Sequence, residues 1–442
     1  MEYYFIEIEN FIMKKQILEY PELIQDKIIY LLQDGKRLRP ILCIIFSGLD
    51  NTLDTLKKKS NDNLKKNISD NEKTKIIYNV ASFIEQIHCL SLVLDDLPEM
   101  DNDSMRRGKQ SFHTKFNINY TNFFLYYMFN RLSLSLNSIL DTYIDINLNI
   151  NINPKNNNIL NNNLNFAKKI KKLLSNNLNI LIDGQYNDLT MQDSSSSSSF
   201  LEKQDSSFLE KQDSSFLEKI RAKNNEEQYS SYEGVISRER LLQSSEIKII
   251  FNLLEKKILE SNDLLIQIIN NIELNMKKTS SLFNLSICSG FVMQLWINNY
   301  DLEKFNDIYE KISIWANILG YMFQVSDDIL DIDDDKAKGN PNICQIIGKD
   351  ITHILLKNGC DWLLENIKLI TIECNMNIIM NININNNNND KNNDKIFFNL
   401  DAIKDIIDKI LKRIEKYKKL KIKFIPFTHL EYFSKLHQLN HY

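Results

Sequence analysis

Lys75-Ile-Ile-Tyr-Asn-Val-Ala-Ser-Phe-Ile-Glu-Gln-Ile-His-Cys-Leu-Ser-Leu-Val-Leu94 leads straight into Asp95-Asp-Leu-Pro-Glu-Met-Asp101-Asn-Asp103, and this stretch decides the fold. Ile76, Val80, Phe83, Ile84, Ile87, Leu90 and Leu94 recur at steps of three and four, which makes one apolar helix face. Phe251–Ile272, Leu282–Leu295, Ile312–Leu330 and Ile403–Ile414 have the same period, and no segment alternates convincingly as a strand. Gly 10 and Pro 6 supply little turn chemistry for an all-β or doubly wound fold. An all-α fold is expected.

Outward from that helix, 43% hydrophobic and 25% charged residues are ordinary for a globular chain. A net charge of -4 without a basic stripe argues against nucleic acid or an anionic membrane as the main partner. The six cysteines are scattered, with no C-x-x-C pair, which predicts buried reduced thiols in an intracellular compartment. No apolar run reaches the ~18–20 residues of a membrane span. The N-terminus lacks a secretory signal and is too acidic for a transit peptide. An intracellular location is expected, with cytoplasm and a plastid-type organelle both open.

Four segments have compositions that bury too little apolar surface to offset ordering entropy: 51–74, 144–164, 192–243 and 381–395. The third holds a Ser run and the repeat Phe200-Leu-Glu-Lys-Gln-Asp-Ser-Ser, copied at Phe208 and begun again at Phe216. It is too short and polar for a solenoid unit and reads as replication slippage. With these as disordered insertions, 1–442 is expected to be one domain.

Carboxylates as dense as those of 95–103 repel one another at the end of an apolar helix, where the helix dipole disfavours anions too. Hard oxygen ligands suit Mg²⁺ holding phosphates. Asp95 and Asp101 lie about 240° apart around a regular helix, and Pro98 between them lets the chain bend and bring both together. Arg106-Arg107-Gly-Lys109 follows. A second cluster, Gln324-Val-Ser-Asp327-Asp328-Ile-Leu-Asp331, also ends an apolar helix, with Asp327 and Asp331 stacked at i and i+4. One such cluster could be a solvated helix end; two, with paired arginines, point to a site.

Gly35-Lys36-Arg37-Leu-Arg39-Pro40 reads as an anion-binding elbow. His88 lies two turns before Asp95, ~10.5 Å along the same face. Lys278-Thr279 offers a phosphate partner and a hydroxyl dipole, and Gly348-Lys349-Asp350 another cation. Gly184-Gln185 with Asp188 is read as helix-packing polar residues.

Asp95 to His113 resembles the first aspartate-rich motif of the trans-prenyl diphosphate synthase (polyprenyl synthetase) family, in the form with a two-residue insertion, and Phe323–Asp331 resembles the second. Gly35–Pro40, Gln185/Asp188, Lys278-Thr279 and Gly348-Lys349-Asp350 fall in the family's order. The resemblance implies an isoprenoid synthase-type bundle of antiparallel helices around a central cavity, usually homodimeric. It implies a Mg²⁺-dependent prenyltransferase, with three ions per active site, that condenses isopentenyl diphosphate with an allylic diphosphate.

Carried over, Lys36, Arg39, His88 and Arg107 bind isopentenyl diphosphate, while Arg106, Lys278 and Lys349 grip the allylic diphosphate. Asp95 and Asp101, with Asp96 supporting, coordinate Mg²⁺ from one wall and Asp327 from the other, with Asp328 and Asp331 nearby. Thr279 and Gln324 face the allylic cation. The insertion-type motif and Leu90 favour a geranylgeranyl product; farnesyl, a longer polyprenyl chain, or a non-catalytic subunit are the alternatives. Asn117–Asn130 departs from the family, with aromatics in place of small residues that help pack its dimer.

Overall fold

In a computed structural model of the chain, the described residues are 2–49, 64–150, 157–200, 244–254, 262–298, 300–385 and 398–415. Of the low-complexity segments, 51–63, 151–156, 201–243 and 386–395 lie outside them, while the backbones of 64–74, 144–150, 157–164, 192–200 and 381–385 are helical. The helices run in order α1 Glu2–Phe11, α2 Glu22–Leu32, α3 Leu38–Phe46, α4 Leu64–Asp95, α5 Phe112–Phe116, α6 Ile118–Ile150, α7 Asn157–Phe200 and α8 Ser245–Leu253. They continue with α9 Asn262–Asn275, α10 Ser281–Ile297, α11 Asn306–Leu330, α12 Ile332–Lys338, α13 Ile343–Ile347, α14 Lys349–Asn385 and α15 Leu400–Glu415. The strands among the described residues are β1 Met105–Arg106 and β2 Lys109–Gln110, an antiparallel pair. The protein is all-α.

Two units emerge from the backbone contacts: Met1–Lys203 with Glu273–Tyr321 and Trp362–Ile407, and Gln204–Ile272 with Met322–Asp361 and Asp408–Tyr442. The first unit is organised on α10, whose Ser281–Trp296 are all buried. Its sequence is apolar all round apart from small residues, Asn284 and Gln294, as a helix without a solvent face must be. Helices α3, α4 and α7 pack against it. At Gly290 the crossing with α3 is so close that an added Cβ would lie 2.4 Å from the Cys43 carbonyl oxygen and 2.8 Å from Phe46 Cβ. Phe46 in turn meets Trp315 and Phe398, with ring centroids 5.7 and 4.8 Å away. The Trp315 indole N–H donates to the Leu363 carbonyl at 2.9 Å, so the ring's polar edge is satisfied inside the core.

Two stretches, Thr74–Asp95 and Leu264–Ile297, are long and apolar enough to cross a membrane by length and composition, which corrects the expectation that no run reaches that length. Most of each is buried among other residues of the protein, the ordinary fate of a core helix. All six cysteines are buried and free, as their scatter predicts.

In the second unit, Asn342 ties the segment after α11 to it. Its amide donates to the Asp328 carbonyl at 2.8 Å and to Asp335 Oδ2 at 2.7 Å, and its Oδ1 caps the Cys344 N–H at 2.8 Å. Asn358 on α14 donates to the Leu253 carbonyl that ends α8, at 3.2 Å.

The α3–α10 crossing leaves no room for a methyl group at Gly290. Gly290→Ala is expected to lower unfolding free energy by about 1–3 kcal/mol, the usual cost of overpacking, measured by denaturant titration.

Candidate active site

Helix α4 ends at Asp95, and the next residues fold back on it. The Asp101 N–H donates to the Asp95 carbonyl at 2.9 Å, and the Met100 and Asn102 N–H groups both donate to the Leu97 carbonyl, at 2.9 and 3.0 Å. The bend expected at Pro98 therefore returns Asp101 to the end of the helix. Asn102, at φ 51°, redirects the chain into β1. Arg107 and Gly108 turn the hairpin at φ 53° and 76°, a two-residue turn with both central residues left-handed.

That hairpin delivers the paired arginines in different directions. Arg106 bonds Asp96 through Nε at 2.8 Å and again through Nη2, and reaches Asp103 at 3.3 Å. Burial raises the Asp96 carboxyl's pKa while Arg106 pulls it down. Arg107 turns to the Gln33 carbonyl at 3.2 Å. Lys109 stands over the Tyr30 ring at 4.3 Å and donates to the Tyr30 carbonyl at 2.8 Å.

The basic elbow divides by role. Arg37, at φ 52°, points inward: Nε bonds Glu9 at 2.6 Å, Nη1 bonds Glu85 at 2.9 Å, and Nη2 bonds the Leu32 carbonyl. This is a buried clamp on α1 and α4, so the elbow presents two cations, Lys36 and Arg39, where three were expected. Lys36 is exposed. Arg39 Nη1 lies 3.1 Å from His88 Nε2, and its guanidinium stacks 4.9 Å from the Phe283 ring centroid. Because arginine only donates, His88 accepts at Nε2 and is neutral there. Burial pushes its pKa well below the ordinary value, and Arg39, Arg107, Arg106 and Arg37 add to this.

Lys278 and Thr279 sit in a π-helical turn, Met276–Ser280, between α9 and α10. Such turns interrupt the helical register and often mark functional sites. Lys278 Nζ is 3.6 Å from Asp95 Oδ1, a buried oxygen without a hydrogen-bond partner. Gly184 lets α7 press on this turn, since a Cβ there would lie 2.9 Å from Lys277 Cβ and 3.0 Å from the Lys278 backbone nitrogen. The packing expected of Gly184 is thus real, and beside it Gln185 leaves Oε1 buried without a partner. Asp188's side chain lies outside the described residues.

The second unit carries the other motif. Asp327 Oδ1 pairs with Arg413 Nη2, whose Nη1 donates to Ser326 Oγ at 3.0 Å while the guanidinium stacks 4.9 Å from the Phe323 ring centroid. No local signal in the sequence marks Arg413: it lies 86 residues from Asp327, on a helix whose periodicity shows only an apolar face. Asp328 is buried, accepting from the Ile343 N–H at 2.9 Å and from Gln324 Nε2 at 2.8 Å. Burial raises its pKa to about 7 against those hydrogen bonds. Asp328 therefore anchors a turn, and Gln324 helps satisfy it. Asp331 is exposed just past α11, and Lys349 is exposed at the start of α14.

Among the described residues no three His, Cys, Asp or Glu side chains converge on one point. That arrangement still fits Mg²⁺, which keeps several waters and takes one or two carboxylates plus substrate phosphates. The orphaned Asp95 Oδ1 is the oxygen such an ion would satisfy.

Neighbouring aspartates in the second motif differ in their dependence on the fold. Asp328→Ala strands the Ile343 N–H and is expected to cost about 1–3 kcal/mol. Asp327→Ala loses a partly exposed pair worth about 1 kcal/mol or less. Thermal melts of the two variants should separate them; equal losses would contradict the assignment.

Residues 21–223 match the family described as Polyprenyl synthetase. A stretch of 105 residues is 41% identical to geranylgeranyl pyrophosphate synthase 10, mitochondrial, of Arabidopsis thaliana, covering 22% of this chain and 24% of the relative. Another of 82 residues is 39% identical to farnesyl diphosphate synthase of Micrococcus luteus, covering 19% and 21%. The matched stretches thus span about a quarter or less of these relatives' length. A crystal structure of geranyltransferase from Legionella pneumophila is similar at a TM-score of 0.50 and 18% identity, over 93% of this chain and 95% of that one, a likeness of fold. Through residues 21–223, the chain is similar to the polyprenyl synthetase family.

Proposed function

We propose that the protein is a Mg²⁺-dependent prenyltransferase that adds isopentenyl diphosphate head-to-tail, all-trans, to an allylic diphosphate and stops at geranylgeranyl length. The observation that carries this reading is the end of α4, where Asp101 returns to the Asp95 backbone and a buried, orphaned Asp95 oxygen stands 3.6 Å from Lys278. Asp95 and Asp101 hold Mg²⁺ from the first motif and Asp327 from the second. Bound Mg²⁺, three ions by the family resemblance, supplies positive charge against the leaving diphosphate. Lys278, Arg106 and Lys349 hold the allylic diphosphate, and Lys36, Arg39, neutral His88 and Arg107 hold isopentenyl diphosphate.

The chemistry follows from charge. The allylic C–O bond breaks with its electron pair leaving on diphosphate. The isopentenyl double bond attacks the cation to form the new C–C bond, and the departed diphosphate takes the proton. Thr279 and Gln324 orient dipoles toward the cation, which must be kept from water. Asp96 keeps Arg106 in place, while Asp328 supports the second motif and Asp331 adds charge beside it.

The names of several relatives support the geranylgeranyl length, and the insertion-type motif agrees. Phe123 and Tyr126 on α6, 78% and 76% exposed, support a homodimer formed through that helix. Relatives named mitochondrial and chloroplastic support an intracellular compartment.

Purified full-length protein, incubated with radiolabelled isopentenyl diphosphate and each allylic primer with and without Mg²⁺, should give a Mg²⁺-dependent geranylgeranyl product on chromatography. Asp95→Ala should reduce turnover at least about 100-fold, as losing a key electrostatic group does. Sedimentation of the same protein should give a dimer. No incorporation from any primer would refute the enzyme reading; a shorter or longer product corrects the length alone.

A further inference from the structure

Away from both aspartate-rich motifs, the first unit holds a second recess, of about 350 Å³, between α7, the π turn with α10, and α11. Lys169, Lys172 and Lys277 line it, with no carboxylate in its wall. None of the three lysines makes an ion pair among the described residues. Lys169 Nζ is held 3.8 Å from the Tyr309 ring centroid. Lys277 Nζ lies 2.8 Å from the Asn187 side-chain amide. Across the floor, Asn284 Nδ2 donates to Ser313 Oγ at 2.8 Å and to the Ser313 carbonyl at 3.1 Å, fixing two polar groups at the base. Glu310, beside Tyr309 in sequence, is exposed and does not line the recess.

This is a separate place from the candidate active site. Lys278 turns to Asp95, while its neighbour Lys277 turns to the recess. None of the aspartates of either motif lines it. Three ammonium groups sharing one concavity repel one another, and an anion joining them relieves this; Asp301 and Glu303 line an adjoining recess with Lys169 and Lys172 but do not line this one. Lysine suits phosphate as a point charge. Leu173, Ile180 and Met276 add an apolar wall, and the volume lies within the range of small-molecule sites.

We propose that this recess binds a small organic phosphate, its phosphate or diphosphate group held by Lys169, Lys172 and Lys277 and its carbon part against Leu173, Ile180 and Met276. The site needs no metal and does not depend on the proposed reaction. Full-length protein in EDTA is acetylated with an N-hydroxysuccinimide ester, with and without inorganic pyrophosphate, and each lysine is read by mass spectrometry. Lys169, Lys172 and Lys277 should be protected several-fold, whereas Lys171, exposed on the same helix, should not. In Lys169→Ala/Lys172→Ala the protection of Lys277 should require at least about 10-fold more pyrophosphate, since two of three charge-assisted contacts are gone. If that variant loses its circular dichroism, Lys277→Gln read at Lys169 makes the same test. Unprotected Lys277 in the wild-type chain, equal protection of Lys171, or protection unchanged in the variants would each overturn the proposal.

Discussion

Carboxylates at the ends of apolar helices are the constraint around which the described site residues are arranged. A helix C-terminus carries partial negative charge, and a buried carboxylate there needs a cation nearby. The chain meets that need within each unit: Arg106 for Asp96, Lys278 beside Asp95, Arg413 for Asp327. Asp328 is met differently, by a backbone N–H and an amide, and its pKa rises to about 7 because neutral donors offset burial less than a cation would.

These pairings sort residues that look equivalent in sequence. Arg37 and Arg39 are two positions apart, yet one is locked between Glu9 and Glu85 and the other faces His88. Asp327 and Asp328 are adjacent, yet one meets a partly exposed guanidinium and the other is sealed behind Ile343. In each case the two members point to different sides of their element and meet different partners.

The buried helix α10 shows how packing positions chemistry. Its uncharged, largely apolar sequence places it at the centre of the first unit, and the π turn at its start then sets Lys278 toward Asp95 and Lys277 toward the lysine-lined recess. Gly184 and Gly290 permit the close backbone approaches that hold this arrangement.

Much of this was legible in the sequence. Three- and four-residue spacing of apolar side chains yields helices, because that periodicity is a local property of the chain. Pro98 announced the bend after Asp95, again from local sterics. Arg413's pairing with Asp327, the burial of Arg37, the anchoring of Asp328 by Ile343 and the lysine recess were decided only by tertiary structure. Each depends on residues far apart in the chain, and no local spacing encodes which of several charged side chains a distant helix will face.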